Sequence, residues 1–393
     1  MAASPQAPPG STTRRRRAYI DWARGLAVLI MIEAHAVDAW TRAADKHSIA
    51  YRDATILGGF AAPMFLWLAG LAVVLAAART AARTGSRRQA ADAIVRRGLI
   101  IFILAFLFRV QAFIVSPGNH LVTLFRVDIL NIMGPAIVAA GLAWAAARTP
   151  AARAVVFASL AIVFSMATPI VRLSPAVDRL PLWLQWHLRP AGDMTVFTLL
   201  PWAGFVFAGA AAGALLAGAR DARAERRIHT ALTICGAALI LVGFYTAARP
   251  SIYASSSFWT SSPTWFAIRV GILMVALSWL YAVEQAAGAR EALDSSAPRT
   301  WSRALLSSWQ APLERLGQHS LFVYWIHVEL VYGYFSWLWW HRLPLWGAVA
   351  GYMAFCALMY RAIEWRDRVV DFWRTRPRGR PSFSGVGVRQ APG

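Results

Sequence analysis

Of the 393 residues, 58% are hydrophobic, only 15% are charged and 19 are Trp. A chain this apolar is excluded as a soluble domain and reads as a polytopic membrane protein, all-α, built from hydrophobic spans. The net charge of +21 follows the loops instead of forming one basic module with interleaved aromatics, which argues against nucleic acid and leaves anionic lipid and phosphorylated cytosolic ligands as partners.

The first 13 residues, MAASPQAPPGSTT, are rich in Pro, Gly and Ser and open a basic tail, 1–18, expected to be disordered. RRRRAYIDWARGLAVLI resembles a secretory leader, but acids interrupt its apolar core and no small-residue cleavage site follows, so it starts the first permanent helix. Runs near 19–40, 57–78, 98–115, 127–147, 154–171, 196–217, 231–247, 265–283, 319–340 and 344–363 are each long enough to cross about 30 Å of hydrocarbon. About ten transmembrane helices therefore form one domain over 19–370, followed by a second basic tail over 371–393. An N-in, C-in orientation places 28 of the Lys and Arg residues on the cytosolic side against 9 in the opposite loops, as the positive-inside rule requires. Cys235 and Cys356 lie in apolar runs and imply neither a disulfide nor a metal site.

The first span carries an unusual load of charge. At about 100° per residue, Asp21, Arg24, Val28, Met31, His35 and Asp38 share one sector of about 100°, with Arg24 and His35 about 16 Å apart along it. Two readings stand: a buried structural network, Arg24 with Asp21 and His35 with Asp38, or a working site in which His35 handles protons. Glu33 lies near the opposite face and needs a separate partner. Further along, Arg109 and Gln111 end the third span, and FRVDILNIMG puts Arg126, Asp128 and Asn131 at the start of the fourth. In LGQHSLFVYWIHVELVYG, Ser320, Tyr324, His327 and Val331 recur at helical spacing and give one face a hydroxyl, a phenol and an imidazole. Trp183, Trp186, Trp259 and Trp265, in or beside the two long outer loops, either stack on a sugar ring or belong to an interfacial belt. Gly70, Gly204, Gly209 and Gly213 read as close helix packing. No Walker, zinc or nucleophile-elbow motif appears, so metal-dependent and ATP-driven chemistry has no support.

IDWARGLAVLIMIEAH, GGFAAPMFLWLAG (58–70), VDILNIMG (127–134), FTLLPWAGFVFAGAAAG (197–213) and LGQHSLFVYWIH (316–327) together resemble the transmembrane acyltransferase superfamily. The resemblance is closest to bacterial proteins with the heparan-alpha-glucosaminide N-acetyltransferase catalytic domain, and more distant to the acyltransferase-3 family, whose Arg, ten residues, His pattern is met by Arg24 and His35. It implies transfer of an acyl group, usually acetyl, from cytosolic acyl-CoA to a hydroxyl or amine of a glycan or small-molecule acceptor, in the bacterial inner membrane. Lysosomal relatives carry Asn where His35 stands and a catalytic His in the following loop, near His47 here.

Acetyl transfer from a thioester needs a base, oxyanion donors and cations for the CoA phosphates. The expected catalytic set is His35, Asp38, Arg24, His47 and His327. Asp21, Glu33, Arg126, Asp128, Asn131 and Tyr324 are expected to position substrate, with Arg96 and Arg97, beside Arg87 and Arg88, meeting phosphate. No resident cofactor or metal is expected, acyl-CoA is a co-substrate, and the oligomeric state stays open with a homodimer among the options. The competing reading is a proton-coupled transporter or flippase that uses the same Asp, Arg and His row as a relay.

Overall fold

The computed structural model describes residues 17–115, 120–293 and 309–375, and within them the chain is helical apart from turns and isolated bridges. The helices are α1 (Ala18–Trp40), α2 (Ile49–Gly58), α3 (Ala61–Thr84), α4 (Arg87–Val115), α5 (Ile129–Ala146), α6 (Pro150–Leu173) and α7 (Leu182–Leu188). They continue with α8 (Leu199–Gly218), α9 (Ala222–Ala247), α10 (Pro263–Leu293), α11 (Gln310–Gln318), α12 (Ser320–Tyr332) and α13 (Leu345–Thr375). Most of both tails lies outside the described residues.

Local chemistry sets several ends. Asp128 and Asn131 form a reciprocal cap at the start of α5, with Asn131 Oδ1 accepting the Asp128 N–H at 3.0 Å. Thr149 caps α6 and Pro150 occupies its first turn. Helix α3 stops at Gly85, whose φ of 67° suits only glycine without strain.

Among the described residues, eight helical segments are long and apolar enough to cross a membrane. The other two runs read from sequence are also helical but differ in kind. Helix α1 has the length, 23 residues, but carries Asp21, Arg24, Glu33 and Asp38. The run at 319–340 is not one span: α12 ends after 13 residues because Gly333 turns extended (φ −82°, ψ −170°), and short turns follow. Helix α13 continues to Thr375, five residues into the stretch assigned to the C-terminal tail, with Arg374 in its last turn favouring the negative helix end.

Helix α1 is the axis of the bundle. Ala23, Ala27, Val28, Ile32 and Ala36 are all buried; its first half joins the core of α3, α5 and α8, and its second half the core built with α12 and α13. A methyl group placed on Gly70 would run into the Val206 carbonyl, and one on Gly209 into the Trp67 carbonyl, so α3 and α8 touch through backbone. Gly25 and Gly317 do the same where α11 crosses α1, meeting the Leu313 and Asp21 carbonyls. The exposed Leu99, Ile103 and Leu107 of α4 and Leu241, Val242 and Phe244 of α9 face lipid in such a chain. At the start of α1, Arg17 Nε pairs with Glu225 at 2.7 Å and the Tyr19 hydroxyl joins the same carboxylate at 3.1 Å, clasping α1 to α9.

At the other end of α1, Arg42 N–H donates to the Leu343 carbonyl at 2.8 Å, and Asp45 Oδ2 accepts the Leu345 N–H at 2.8 Å, tying the loop after α1 to the start of α13. That N–H, with Arg42 beside it, holds the Asp45 carboxyl below its ordinary value. A lowered folded value means that the contact stabilises fully above the ordinary Asp pKa of about 3.9 and is lost as pH falls through the folded value. Acidification from about pH 6 to about pH 3 is therefore expected to lower the melting temperature more in wild type than in Asp45→Asn, which cannot titrate. Equal losses in thermal scans would remove Asp45 from the loop's stability.

Candidate active site

Arg24 Nη2 donates to Ser320 Oγ at 2.9 Å and His35 meets Tyr332 at 3.0 Å, so α12 runs parallel to α1. Phe108 packs on Tyr324 with ring centroids 5.4 Å apart and Val115 lies beside Gly333, so α4 rises alongside in the same direction. Between these helices, α3 and α10 lies a cavity of about 1580 Å³. Arg24, Thr80, Arg97 and Ser320 line it toward the Ala18 end of α1, and Asp38, Lys46, Arg52, Trp259 and Trp340 line it toward the Trp40 end.

On α1 the lining residues include Arg24, Met31, His35 and Asp38, four of the six placed on one sector by helical period. On α12 the row is turned by one residue: Ser320, Tyr324, Val328 and Tyr332 line the cavity, while Val323, His327 and Val331 are fully buried in the protein. The i, i+4 spacing of both rows is the same, and burial of the two valines decides which of them faces the protein interior.

The His35 and Asp38 side chains are linked through Tyr332. Its hydroxyl donates to Asp38 Oδ2 at 3.1 Å and lies 3.0 Å from His35 Nδ1. A phenol has one proton and an ionised carboxylate only accepts. With that proton committed to Asp38, the Tyr332 oxygen accepts from His35 Nδ1–H, and Nε2 is left with its lone pair. Asp38 is held in turn by Lys46, whose Nζ lies 3.4 Å from Oδ1 and donates to the Asp38 carbonyl at 2.7 Å. A carboxylate that fixes the tautomer of an imidazole through a hydroxyl is a recognisable way to present a base.

Residues 16–253, more than half of the chain, match the family model described as heparan-alpha-glucosaminide N-acetyltransferase, catalytic. The chain belongs to that family. Among curated proteins no relative matches it. The matched segment contains His35 and Asp38 but ends before α10 and α12, so the cavity is closed by Tyr332, Ser320 and Arg269 from outside it.

In this transmembrane N-acetyltransferase family member the remaining candidates divide clearly. Arg126, Asp128, Tyr324 and Arg97 line the cavity, with Asp128 paired to Arg109 at 2.9 Å. Asp21 approaches Arg24 at 3.7 Å but stands behind the lining. Asn131 is buried and spent on the α5 cap, which holds Asp128 in place. His327 lies behind His35, ring centroids 5.2 Å apart; Nδ1 donates to the Val323 and Tyr324 carbonyls at 2.9 and 3.0 Å, and Nε2 has no hydrogen-bond partner among the described residues. Glu33 is buried against Gly58 on the other side of α1, its Oε2 without a hydrogen-bond partner among the described residues. His47 is exposed in the turn after α1, one residue beyond the lining Lys46, and Arg96 is exposed beside Arg97; neither lines the cavity. Arg87 donates to the Ala145 and Ala147 carbonyls at the end of α5. Of the four tryptophans, Trp259 and Trp265 line the cavity and Trp183 and Trp186 do not.

Among the lining residues that the sequence reading missed, Tyr332 and Lys46 make the contacts described above and Arg269 makes one with Trp265. Tyr332 closes the row Tyr324, Val328, Tyr332, a signal readable by continuing that spacing one more turn. Arg269 lines the cavity from α10 and stands over the Trp265 ring at 3.8 Å; its signal was an Arg in the apolar run WFAIRVGILM, four residues after a Trp.

Proposed function

We propose that the chain moves an acyl group, acetyl in the first place, from cytosolic acyl-CoA to a hydroxyl or amine of a glycan or similar acceptor in the bacterial inner membrane, with both termini cytosolic. The observation that carries this reading is the Asp38, Tyr332 and His35 chain, which leaves His35 Nε2 as proton acceptor on the wall of a cavity that reaches past Arg24 at one end and Lys46 at the other.

His35 Nε2 takes the proton of the acceptor as its oxygen or nitrogen attacks the thioester carbonyl. The tetrahedral intermediate collapses by breaking the C–S bond, and the departing thiolate takes the proton from His35. The products are the acylated acceptor and CoA with a free thiol. Arg24, fixed by Ser320, faces the end through which the donor enters in this reading, and Arg97 is placed for its phosphates. Tyr324, across the cavity, is available as a hydroxyl donor toward the oxyanion.

The test is release of free thiol from acetyl-CoA by the purified protein in detergent. Release above the buffer blank, raised by adding acceptor sugars, is expected. A folded protein that neither binds nor consumes acetyl-CoA overturns the reading and redirects attention to proton-linked transport.

A further inference from the structure

The cavity has two kinds of wall. On α1 and α12 the lining carries Arg24, His35, Asp38, Ser320, Tyr324 and Tyr332. On α3 every lining side chain from Ala61 to Ala77 is Ala, Phe, Leu or Val, and the first hydroxyl is that of Thr80. The lining residues of α5, Ile129, Leu130, Met133 and Ile137, are apolar too. A helix rises about 24 Å from Ala61 to Ala77, most of the about 30 Å of a bilayer's hydrocarbon core. Such a trough offers no side-chain partner to a sugar, and each hydroxyl buried against it unpaired costs about 1–3 kcal/mol.

The acyl donor of the proposed reaction does not match this wall either. Its arm is built on amides and ends in a short acetyl group, and the polar partners for those amides stand on α1 and α12. At about 1580 Å³ the cavity exceeds the about 300–1,000 Å³ usual for one small ligand, which leaves room for a second chain beside the donor. A methyl group on Gly58 would meet Ala34 Cβ at 2.7 Å, so the start of α3 is level with His35. A chain on the α3 wall therefore begins beside the base and runs toward Thr80. The mouth at that end is apolar as well. Ile56 lines it while 37% exposed, and Ile49 and Leu57 of the same helix α2 are 70% and 51% exposed. A short helix that exposes such side chains beside the charged Arg52 and Asp53 suits the boundary between lipid and water.

We propose that the acceptor is an amphiphile carrying a hydrocarbon chain. Its polar head, with the hydroxyl or amine that is acylated, stands at His35, and its chain lies against α3 and α5 after entering from the bilayer past α2. The chain site stands on the two apolar walls; its assignment to the acceptor rests on the acyl-transfer reading.

The experiment uses the full chain in nanodiscs of neutral phosphatidylcholine and, as probe, dodecanol with a photoactivatable diazirine at the far end of its chain. After illumination, label is expected between Phe65 and Val73 of α3 or on Met133 of α5, besides the lipid-facing Leu241 and Val242 of α9, and is expected to persist under saturating acetyl-CoA. Ala69→Trp, which fills the trough, is expected to lower the α3 and α5 label at least about tenfold and to leave the α9 label as in wild type. Dodecanol is expected to raise thiol release from acetyl-CoA at least about tenfold more than propanol at equal concentration. Label confined to lipid-facing residues overturns the proposal, as does trough label that survives Ala69→Trp or is abolished by acetyl-CoA, since the donor's arm would then occupy the wall. Equal release with both alcohols, or faster release from palmitoyl-CoA than from acetyl-CoA, also overturns it, the latter by giving the chain to the donor. Thiol release without trough label sinks the chain site and leaves acyl transfer standing. Trough label in a protein that neither binds nor consumes acetyl-CoA upholds the chain site and sinks the acyl-transfer reading alone. Should Ala69→Trp fail to fold, Ala72→Phe on the same wall carries the test.

Discussion

His35→Ala is expected to lower acetyl transfer by about 10²- to 10⁴-fold, the usual contribution of a positioned base, with little change in acetyl-CoA affinity. The reason is local: His35 reaches the cavity from the second half of α1, and its loss leaves no other imidazole on the lining. His327 cannot replace it, since its ring is buried behind His35 and held by two backbone carbonyls. Tyr332→Phe removes the link between Asp38 and His35 and frees the imidazole to take either tautomer, so an intermediate loss is expected, carried by kcat. Asp38→Asn weakens the same chain one step further out, where Lys46 and solvent share the load, and its effect is expected to be smaller than that of Tyr332→Phe. His47→Ala is expected to stay near wild type. The order His35, Tyr332, Asp38, His47 in a steady-state assay is the decisive result. Loss in His47→Ala with activity kept in His35→Ala would move the base to the turn after α1.

How much of this was legible depended on what each residue had to do. The charged sector of α1 was readable because acids and bases in an apolar run have few places to go, and Arg24, His35 and Asp38 do line the cavity. The pairing was not readable: His35 and Asp38 meet through a tyrosine nearly 300 positions away, and only packing decides that. Helical spacing was read as one row on α12, Ser320, Tyr324, His327 and Val331, whereas Ser320, Tyr324, Val328 and Tyr332 line the cavity, because burial of Val323 and Val331 turns His327 into the protein. The amphipathic α2, a helix of 10 residues, falls below the length at which an apolar run announces a span. Arg269 stands in the apolar run 265–283, but that no carboxylate among the described residues pairs with it is a fact of three dimensions.

The glycines were legible as packing, and they yield the sharpest stability prediction. Gly209→Ala and Gly70→Ala are expected to destabilise strongly, beyond the about 1–3 kcal/mol typical of an overpacked core, because the added methyl meets a backbone carbonyl of the facing helix in each case. Helix propensity works the other way, since Ala is favoured over Gly by about 1 kcal/mol within a helix. Which effect wins depends on what the methyl meets. At Gly213 it would lie 2.7 Å from the Leu71 carbonyl, a milder clash, and at Gly218 3.1 Å from the Pro150 ring, where little resists it. Melting temperatures in detergent are therefore expected to fall in the order Gly218→Ala, Gly213→Ala, Gly209→Ala, with the first near or above wild type. Gly317→Ala adds a functional readout. Its methyl would strike the Asp21 carbonyl, pushing α11 from α1 and drawing Ser320, two positions from the end of α11, away from Arg24. If Arg24 positions the donor, this variant is expected to weaken acetyl-CoA binding at temperatures where it remains folded. A Gly209→Ala protein as stable as Gly218→Ala would show that α3 and α8 do not meet backbone to backbone, and the cavity wall they support would have to be redrawn.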